Sequence, residues 1–387
     1  MNKVYITNHH ILSPLGDSSI ENFNNLLKNN SGIKKHRRIG KDSFYSAIID
    51  KNKGDQLFAE IGDVELYTPL ERLMILSVSK LLGASNFKIN SKTGLIISTT
   101  KGNIDVLAKD TAFYKDPSRA YLPVLGEKIQ GFFKLKNPAI VVSNACVSGV
   151  LAVAVAKQLM QADLYEDVII VSGDLVSDFI VAGFESFQAI SSTPCRPYSK
   201  NRDGITIGEA IASVLMRKTY DATSVDVVEV VGNASCNDAN HISGPSRTGE
   251  GLFLSIQAAL KEAKLEATDI DYVSAHGTAT IFNDEMESIA FQRAKLDKVP
   301  VNSLKAYYGH TLGASGLLET VIGLMSLHQN TLISSLGFDE MGVSVPLNII
   351  KENHNKSLSV FLKTASGFGG SNTALILKKN SRKKGLN

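Results

Sequence analysis

The stretch Ile140-Val-Val-Ser-Asn-Ala-Cys146-Val-Ser-Gly-Val150 decides how this chain is read. A β-branched apolar run ends in Ser143 and Asn144, and small residues then lead into Val147–Gln161, where Leu and Ala share one face. That pattern predicts a buried strand handing over to a helix, with Cys146 at the junction. A thiol placed there meets unsatisfied N–H groups and the positive end of the helix macrodipole. Both favour the thiolate, so a pKa well below the free value of ~8.5 is expected. Ala145, Ser148 and Gly149 leave room for a bulky group to approach. Cys195 and Cys236 lack this setting and read as structural.

The same design recurs further along. Val299-Pro-Val-Asn-Ser-Leu-Lys-Ala-Tyr-Tyr-Gly-His310-Thr-Leu-Gly-Ala-Ser-Gly316 is again a strand, small residues and a helix, with His310 in place of the cysteine. A third strand-to-loop junction, Tyr272-Val-Ser-Ala-His276-Gly-Thr-Ala-Thr280, presents His276 beside two hydroxyls. A fourth glycine-rich turn is Ala365-Ser-Gly-Phe-Gly-Gly-Ser-Asn372. These echoes predict an internal duplication, with halves 1–248, carrying the nucleophilic cysteine, and 249–387, carrying both histidines.

Strands are expected at Val4–Ile6, Gly94–Ser98, Ala139–Ser143, Asp167–Ser172, Val225–Val231, Tyr272–Ala275, Val299–Asn302, Val343–Pro346, Ser359–Leu362 and Thr373–Leu377. Helices are expected at Leu70–Leu82, Val147–Gln161, Gly251–Ala263, Asp284–Arg293 and Gly316–His328. Their alternation argues for an α/β fold with buried sheets.

Composition narrows the function. A chain of 387 residues with 43% hydrophobic and 20% charged residues builds a large core and is not a disordered segment. Forty-one Lys plus Arg against 38 Asp plus Glu gives +3, too mild for a dedicated nucleic-acid binder. Three widely spaced cysteines form neither a disulfide framework nor a zinc motif, and suit a reducing compartment. The N-terminus lacks a signal-peptide pattern, and the longest apolar stretch, Gly149–Ala156, is too short to span a bilayer. A soluble, cytoplasmic protein without membrane insertion is expected. Basic clusters at Lys34–Lys41 and in the tail Lys378–Asn387 read as exposed surface.

Taken in order, several motifs resemble those of elongating β-ketoacyl-acyl carrier protein synthases, the Cys-His-His branch of the thiolase-like superfamily. They are Asn144-Ala-Cys146; Arg196-Pro-Tyr-Ser-Lys-Asn-Arg-Asp-Gly204 with Gly208-Glu209; and His276-Gly-Thr-Ala-Thr280 with Asp284 and Glu287. Asn302-Ser-Leu-Lys305, Gly309-His310, Gly313-Ala-Ser-Gly316, Glu319 and Gly367-Phe-Gly-Gly-Ser-Asn372 complete the set. The resemblance covers nearly the whole chain. Thiolases place a second cysteine, and initiating synthases an asparagine, where this chain has a histidine, so both relatives fit less well.

The resemblance implies a five-layered αβαβα fold of two duplicated halves. It implies an acyl group held on Cys146 and decarboxylative Claisen condensation with a malonyl group on acyl carrier protein. His276 and His310 are expected to stabilise the enolate, with Lys305 and Glu319 as the charged pair behind them. The N–H groups of Cys146 and Phe368 are the expected oxyanion hole, where one donor is typically worth ~3–4 kcal/mol. Phe368 is also the expected gate, its movement eased by Gly367, Gly369 and Gly370. Thr278 and Thr280 are expected to bind the carrier's phosphopantetheine. No metal and no cofactor of the enzyme's own is called for. A homodimer is expected, or a heterodimer with a chain-length factor, with Arg72, Lys80 and Arg38 as candidate carrier-docking residues.

Three departures from the family pattern point to a specialised polyene, polyketide or modified-fatty-acid synthase, with housekeeping fatty-acid elongation as the close competitor. Ile281-Phe-Asn283 stands where Pro and small residues are usual, and Lys218–Ser224 is shorter than the usual insertion. Lys101 stands where an apolar residue usually borders the acyl tunnel, either pointing into it or turning outward to pair with Asp105 or Asp110. Two other readings compete. A non-catalytic chain-length factor commonly lacks the cysteine, which this chain keeps. A cysteine hydrolase using Cys146 and His276 leaves His310 and the Thr278/Thr280 pair without a role.

Overall fold

The computed structural model describes residues 2–38, 41–220, 227–238 and 244–380. Ten strands form one sheet that divides into two equivalent halves. From its outer edge, the first half runs Ile140–Val142, Thr93–Ser98, Asp167–Asp174, Ala210–Arg217 and Tyr5–Leu12. The second runs Val301–Asn302, Tyr272–Ser274, Val360–Ser366, Ser371–Lys379 and Val228–Asn237. Numbered along the chain within each half, both read 3-2-4-5-1. In both, the outer three strands are parallel and the inner two join antiparallel. Among the described residues, the ladder between the half-sheets pairs Tyr5 with Glu229 and Ile6 with Val228. By strand order Val228–Asn237 belongs with the second half, ahead of the expected 248/249 division.

Amphipathicity sets the layers. Helices Pro69–Gly83 and Leu122–Phe132 bury apolar faces on the outside of the first half-sheet. Glu250–Ala263 and Ile281–Arg293 do so on the second. Ser148–Gln161 and Ser315–Gln329 lie between the two half-sheets and are apolar nearly all round, as sandwiched helices must be. This is the αβαβα arrangement expected of the fold.

The central helices meet backbone to backbone. A Cβ on Gly149 would lie 2.6 Å from the Leu317 nitrogen, and one on Gly316 would lie 2.6 Å from the Val150 nitrogen. Two glycines therefore set the spacing of the helices whose N-termini follow Cys146 and His310. Gly316→Val is expected to lower stability by about 3 kcal/mol, read as a lower urea midpoint, because neither backbone can retreat.

Some elements differ from expectation. Ala210–Arg217 is a central strand that sequence reading missed; all but its last residue are buried, so it shows no polar alternation. Val343–Pro346 is irregular, although Val343 and Val345 are buried, and Pro346 has no N–H to give a ladder. Residues 225–226 of the expected strand and 381–387 of the basic tail lie outside the described residues.

Candidate active site

Cys146 follows Ala145, which adopts a left-handed φ of 44°, and precedes helix Ser148–Gln161. The sharp turn throws the thiol across the sheet's end toward the other half. His276 precedes Gly277 (φ 43°) and His310 follows Gly309 (φ 68°), so each residue of the trio adjoins a backbone reversal. Their sulfur and ring nitrogens lie within 4.8 Å of one another. The two imidazoles meet edge to face, with centroids 5.2 Å apart.

Buried carboxylates hold the loops. Glu287 accepts from the N–H groups of His276 (2.9 Å) and Gly277 (2.7 Å) and from the Tyr198 hydroxyl (3.0 Å). Asp284, one helical turn earlier, accepts from the N–H groups of Thr278 (3.0 Å), Ala279 (3.2 Å) and Tyr198 (2.7 Å). Asp174 ties the halves together, accepting from Thr99, Thr100 and Lys101 on one side and from the Gly313 N–H (2.7 Å) on the other. The His310 N–H donates to the Thr206 carbonyl at 2.6 Å, and the His310 carbonyl accepts from the Gly208 N–H at 3.1 Å. A Cβ on Gly208 would lie 1.9 Å from the Tyr308 oxygen, which explains the glycine there.

The hydrogen bonds fix a tautomer. His310 Nδ1 accepts from the Leu312 N–H at 3.1 Å, so in the neutral ring the proton sits on Nε2. His310 thus offers an Nε2–H donor. Burial, then the charge of Lys305, holds both imidazoles well below the usual histidine range, so they are neutral at pH 7. Lys305 donates to the His276 carbonyl at 2.9 Å and pairs with Glu319. Lys363, which sequence reading missed, contacts the other Glu319 oxygen at 2.6 Å.

The expectation for Cys146 is corrected. Burial pushes its thiol up to about 11, outweighing the opposing pull of Lys305. The thiolate must therefore be made during the reaction rather than stored beforehand. Alkylation of resting enzyme by iodoacetamide should quicken about tenfold per pH unit from pH ~7 to ~9.5, without a plateau. A plateau near neutrality, followed by mass spectrometry, would show a stored thiolate instead.

A cleft of about 400 Å³ opens above the trio, lined by Cys146, His276, His310, Thr278, Thr280 and Phe368. Phe184 and Phe187 also line it, and the Phe368 ring packs against both at 5.9 and 5.5 Å. The Thr278 and Thr280 hydroxyls are 2.9 Å apart on its wall. Gly369 and Gly370 are left-handed, whereas Gly367 serves close approach instead: a Cβ there would lie 3.1 Å from the Cys146 nitrogen. Lys101 is exposed and does not line the cleft, so of the two directions left open for it the outward one is found. Arg72 is buried against Asp55 and unavailable for docking, while Lys80 is exposed and the Arg38 side chain lies outside the described residues.

Residues 1–222 match the family model described as Beta-ketoacyl synthase, N-terminal domain, and residues 227–339 match its C-terminal domain. The chain belongs to the β-ketoacyl synthase family. These are acyltransferase-type condensing enzymes, and the Cys-His-His cluster places this chain among them as a ketosynthase. It is 25% identical to 3-oxoacyl-[acyl-carrier-protein] synthase 2 of Coxiella burnetii over 97% of this chain and 98% of that one. Over 64% of the chain it is 32% identical to the Rhizobium meliloti synthase of the same name, spanning 62% of it. In structure it resembles a ketosynthase solved with its chain length factor from Xenorhabdus doucetiae (TM-score 0.86, 22% identity, 98% of both chains). A Burkholderia phymatum β-ketoacyl synthase is similar (TM-score 0.82, 24% identity, 98% of this chain and all of that one).

Proposed function

We propose that this ketosynthase elongates acyl chains carried on acyl carrier protein, and that Cys146, His276 and His310 perform the chemistry. The observation that carries this reading is their convergence at the floor of a cleft whose wall presents Thr278 and Thr280. In the first half-reaction the Cys146 sulfur attacks the acyl thioester. The acyl–sulfur bond to the carrier breaks, and the cysteine proton ends on the departing pantetheine thiol, with a neutral imidazole as relay. The N–H groups of Cys146 and Phe368 receive the oxyanion.

Malonyl thioester enters next. Neutral N–H donors from His276 and His310 hydrogen-bond its carbonyl, carbon dioxide leaves, and the enolate attacks the Cys146 acyl carbon. The thiolate is released and takes a proton from solvent, restoring the thiol, and the β-ketoacyl group stays on the carrier. Loss of carbon dioxide drives the step, so the reading calls for no metal or redox cofactor. Phe368, 43% exposed and packed at a tilt against Phe184 and Phe187, is the gate between the half-reactions. Lys305 and Glu319 position His276 from behind. Thr278 and Thr280 hold the amides of the pantetheine arm.

The chain served is a fatty acid, polyene or polyketide. Apolar Phe184, Phe187, Ile205 and Met286 line the cleft and suit the acyl group. Among the described residues, strand Ile140–Val142 has a sheet neighbour on one side only, which favours pairing with a second copy or a chain-length factor across that edge. Among the described residues no helix is long and apolar enough to cross a membrane; we place the enzyme in the cytoplasm. Purified enzyme given acyl-carrier proteins of graded length and unsaturation, then malonyl-carrier protein, should yield β-ketoacyl products. Efficient turnover of long saturated chains would exclude a specialised pathway, and release of free acid without malonyl donor would favour hydrolysis.

A further inference from the structure

A second lysine is buried behind the histidines. Lys363 lies on strand Val360–Ser366 and is fully buried. Its Nζ donates to the carbonyls of Ser274 (3.1 Å), Ala275 (3.1 Å) and Thr364 (2.8 Å), and lies 2.6 Å from Glu319. Burying an ammonium costs several kcal/mol unless oxygens replace its water. Here three carbonyls and a carboxylate do so, a donor set that suits a monovalent cation. Two of those carbonyls belong to the residues immediately before His276.

Charge arithmetic gives the arrangement a purpose. Lys305 and Lys363 share one carboxylate, Glu319, so the buried trio carries a net +1 behind the imidazoles. Lys305 alone would balance Glu319. Other charged or titratable groups around the site are Glu287 from helix Ile281–Arg293, Asp174 from the first half-sheet, Cys146 itself and the two imidazoles facing each other. Glu287 and Asp174 accept from backbone N–H groups, and Glu287 also favours the charged form of Lys363.

We propose that Lys363 is a positioning residue of the condensing site. Its ammonium locks the backbone ahead of His276 and supplies the net positive charge that keeps both imidazoles neutral and donating. This rests on the ketosynthase reading above. Burial lowers the lysine's own pKa, and Glu319 opposes that effect and favours the charged form.

The test follows the imidazole titrations of His276 and His310 by NMR in wild type, Lys363→Met and Lys363→Gln, alongside condensing activity. Removing the charge should raise at least one imidazole midpoint by about one pH unit, carrying the acid limb of kcat/KM with it. Lys363→Ala should lose about 10²-fold in kcat and recover at least tenfold in saturating ammonium chloride, because the vacated oxygens accept the free cation. Lys363→Met, which fills the space, should recover nothing. Unchanged midpoints in either folded variant, or an alanine defect indifferent to ammonium, would overturn the proposal. A wild type that condenses no substrate would count against the functional reading instead, and the titrations would still decide the role of Lys363.

Discussion

Cys146→Ala should abolish condensation, by at least about 10⁴-fold, while still releasing carbon dioxide from malonyl-carrier protein. The two half-reactions use different atoms. On the proposed mechanism carbon–carbon bond formation needs an acyl group on Sγ, and no other thiol can take its place: neither Cys195 nor Cys236 lines the cleft. On the proposed mechanism, decarboxylation needs only the donors of His276 and His310, and these residues are held by Glu287, Thr206 and Leu312 rather than by the cysteine. The variant should therefore uncouple the steps and leave acetyl-carrier protein. Loss of carbon dioxide release in a folded variant would mean that the histidines depend on the thiol.

His310→Ala should give the reverse pattern. Its Nε2–H is fixed by the Leu312 N–H on Nδ1, so alanine removes one preorganised donor from the enolate site. Decarboxylation should fall by about 10²–10³-fold, the usual cost of one such donor. Acyl transfer to Cys146 should fall less, because His276 remains as a neutral base and the oxyanion donors are backbone. The acid limb of the wild-type profile has a defined sign. Protonation adds charge to imidazoles that burial and Lys305 keep neutral, so activity is flat through neutral pH and declines only well below the ordinary histidine range. Stopped-flow carbon dioxide release from about pH 5 to 8 checks both statements.

Much of the site was legible because its chemistry sits at strand ends. Cys146, His276 and His310 each follow an apolar run and adjoin small residues, a pattern visible without coordinates. The duplication was legible for the same reason: Ile140–Val142 and Val301–Asn302 hold equivalent edges, and the helices after Cys146 and His310 pair at the centre. What escaped depends on tertiary burial. Lys363 reads as the polar end of a strand, and nothing local says that three carbonyls and Glu319 close around it. Asp174 lies just past the expected strand Asp167–Ser172, yet it bridges loops more than a hundred residues apart. The Cys146 pKa was misjudged because the helix N-terminus is visible in sequence and the desolvation that outweighs it is not. Lys101 fell at the expected position, but its direction is set by the loop that Asp174 gathers.

The central claim is that acyl chains reside on Cys146 between the half-reactions. Intact-protein mass spectrometry, after mixing with a panel of acyl-carrier proteins and then with malonyl-carrier protein, tests it most directly. The account predicts an acyl adduct that maps to Cys146 and disappears as β-ketoacyl-carrier protein forms. Folded, reduced protein that takes up no acyl group from any carrier would contradict it and leave a non-catalytic chain-length-factor role as the better reading.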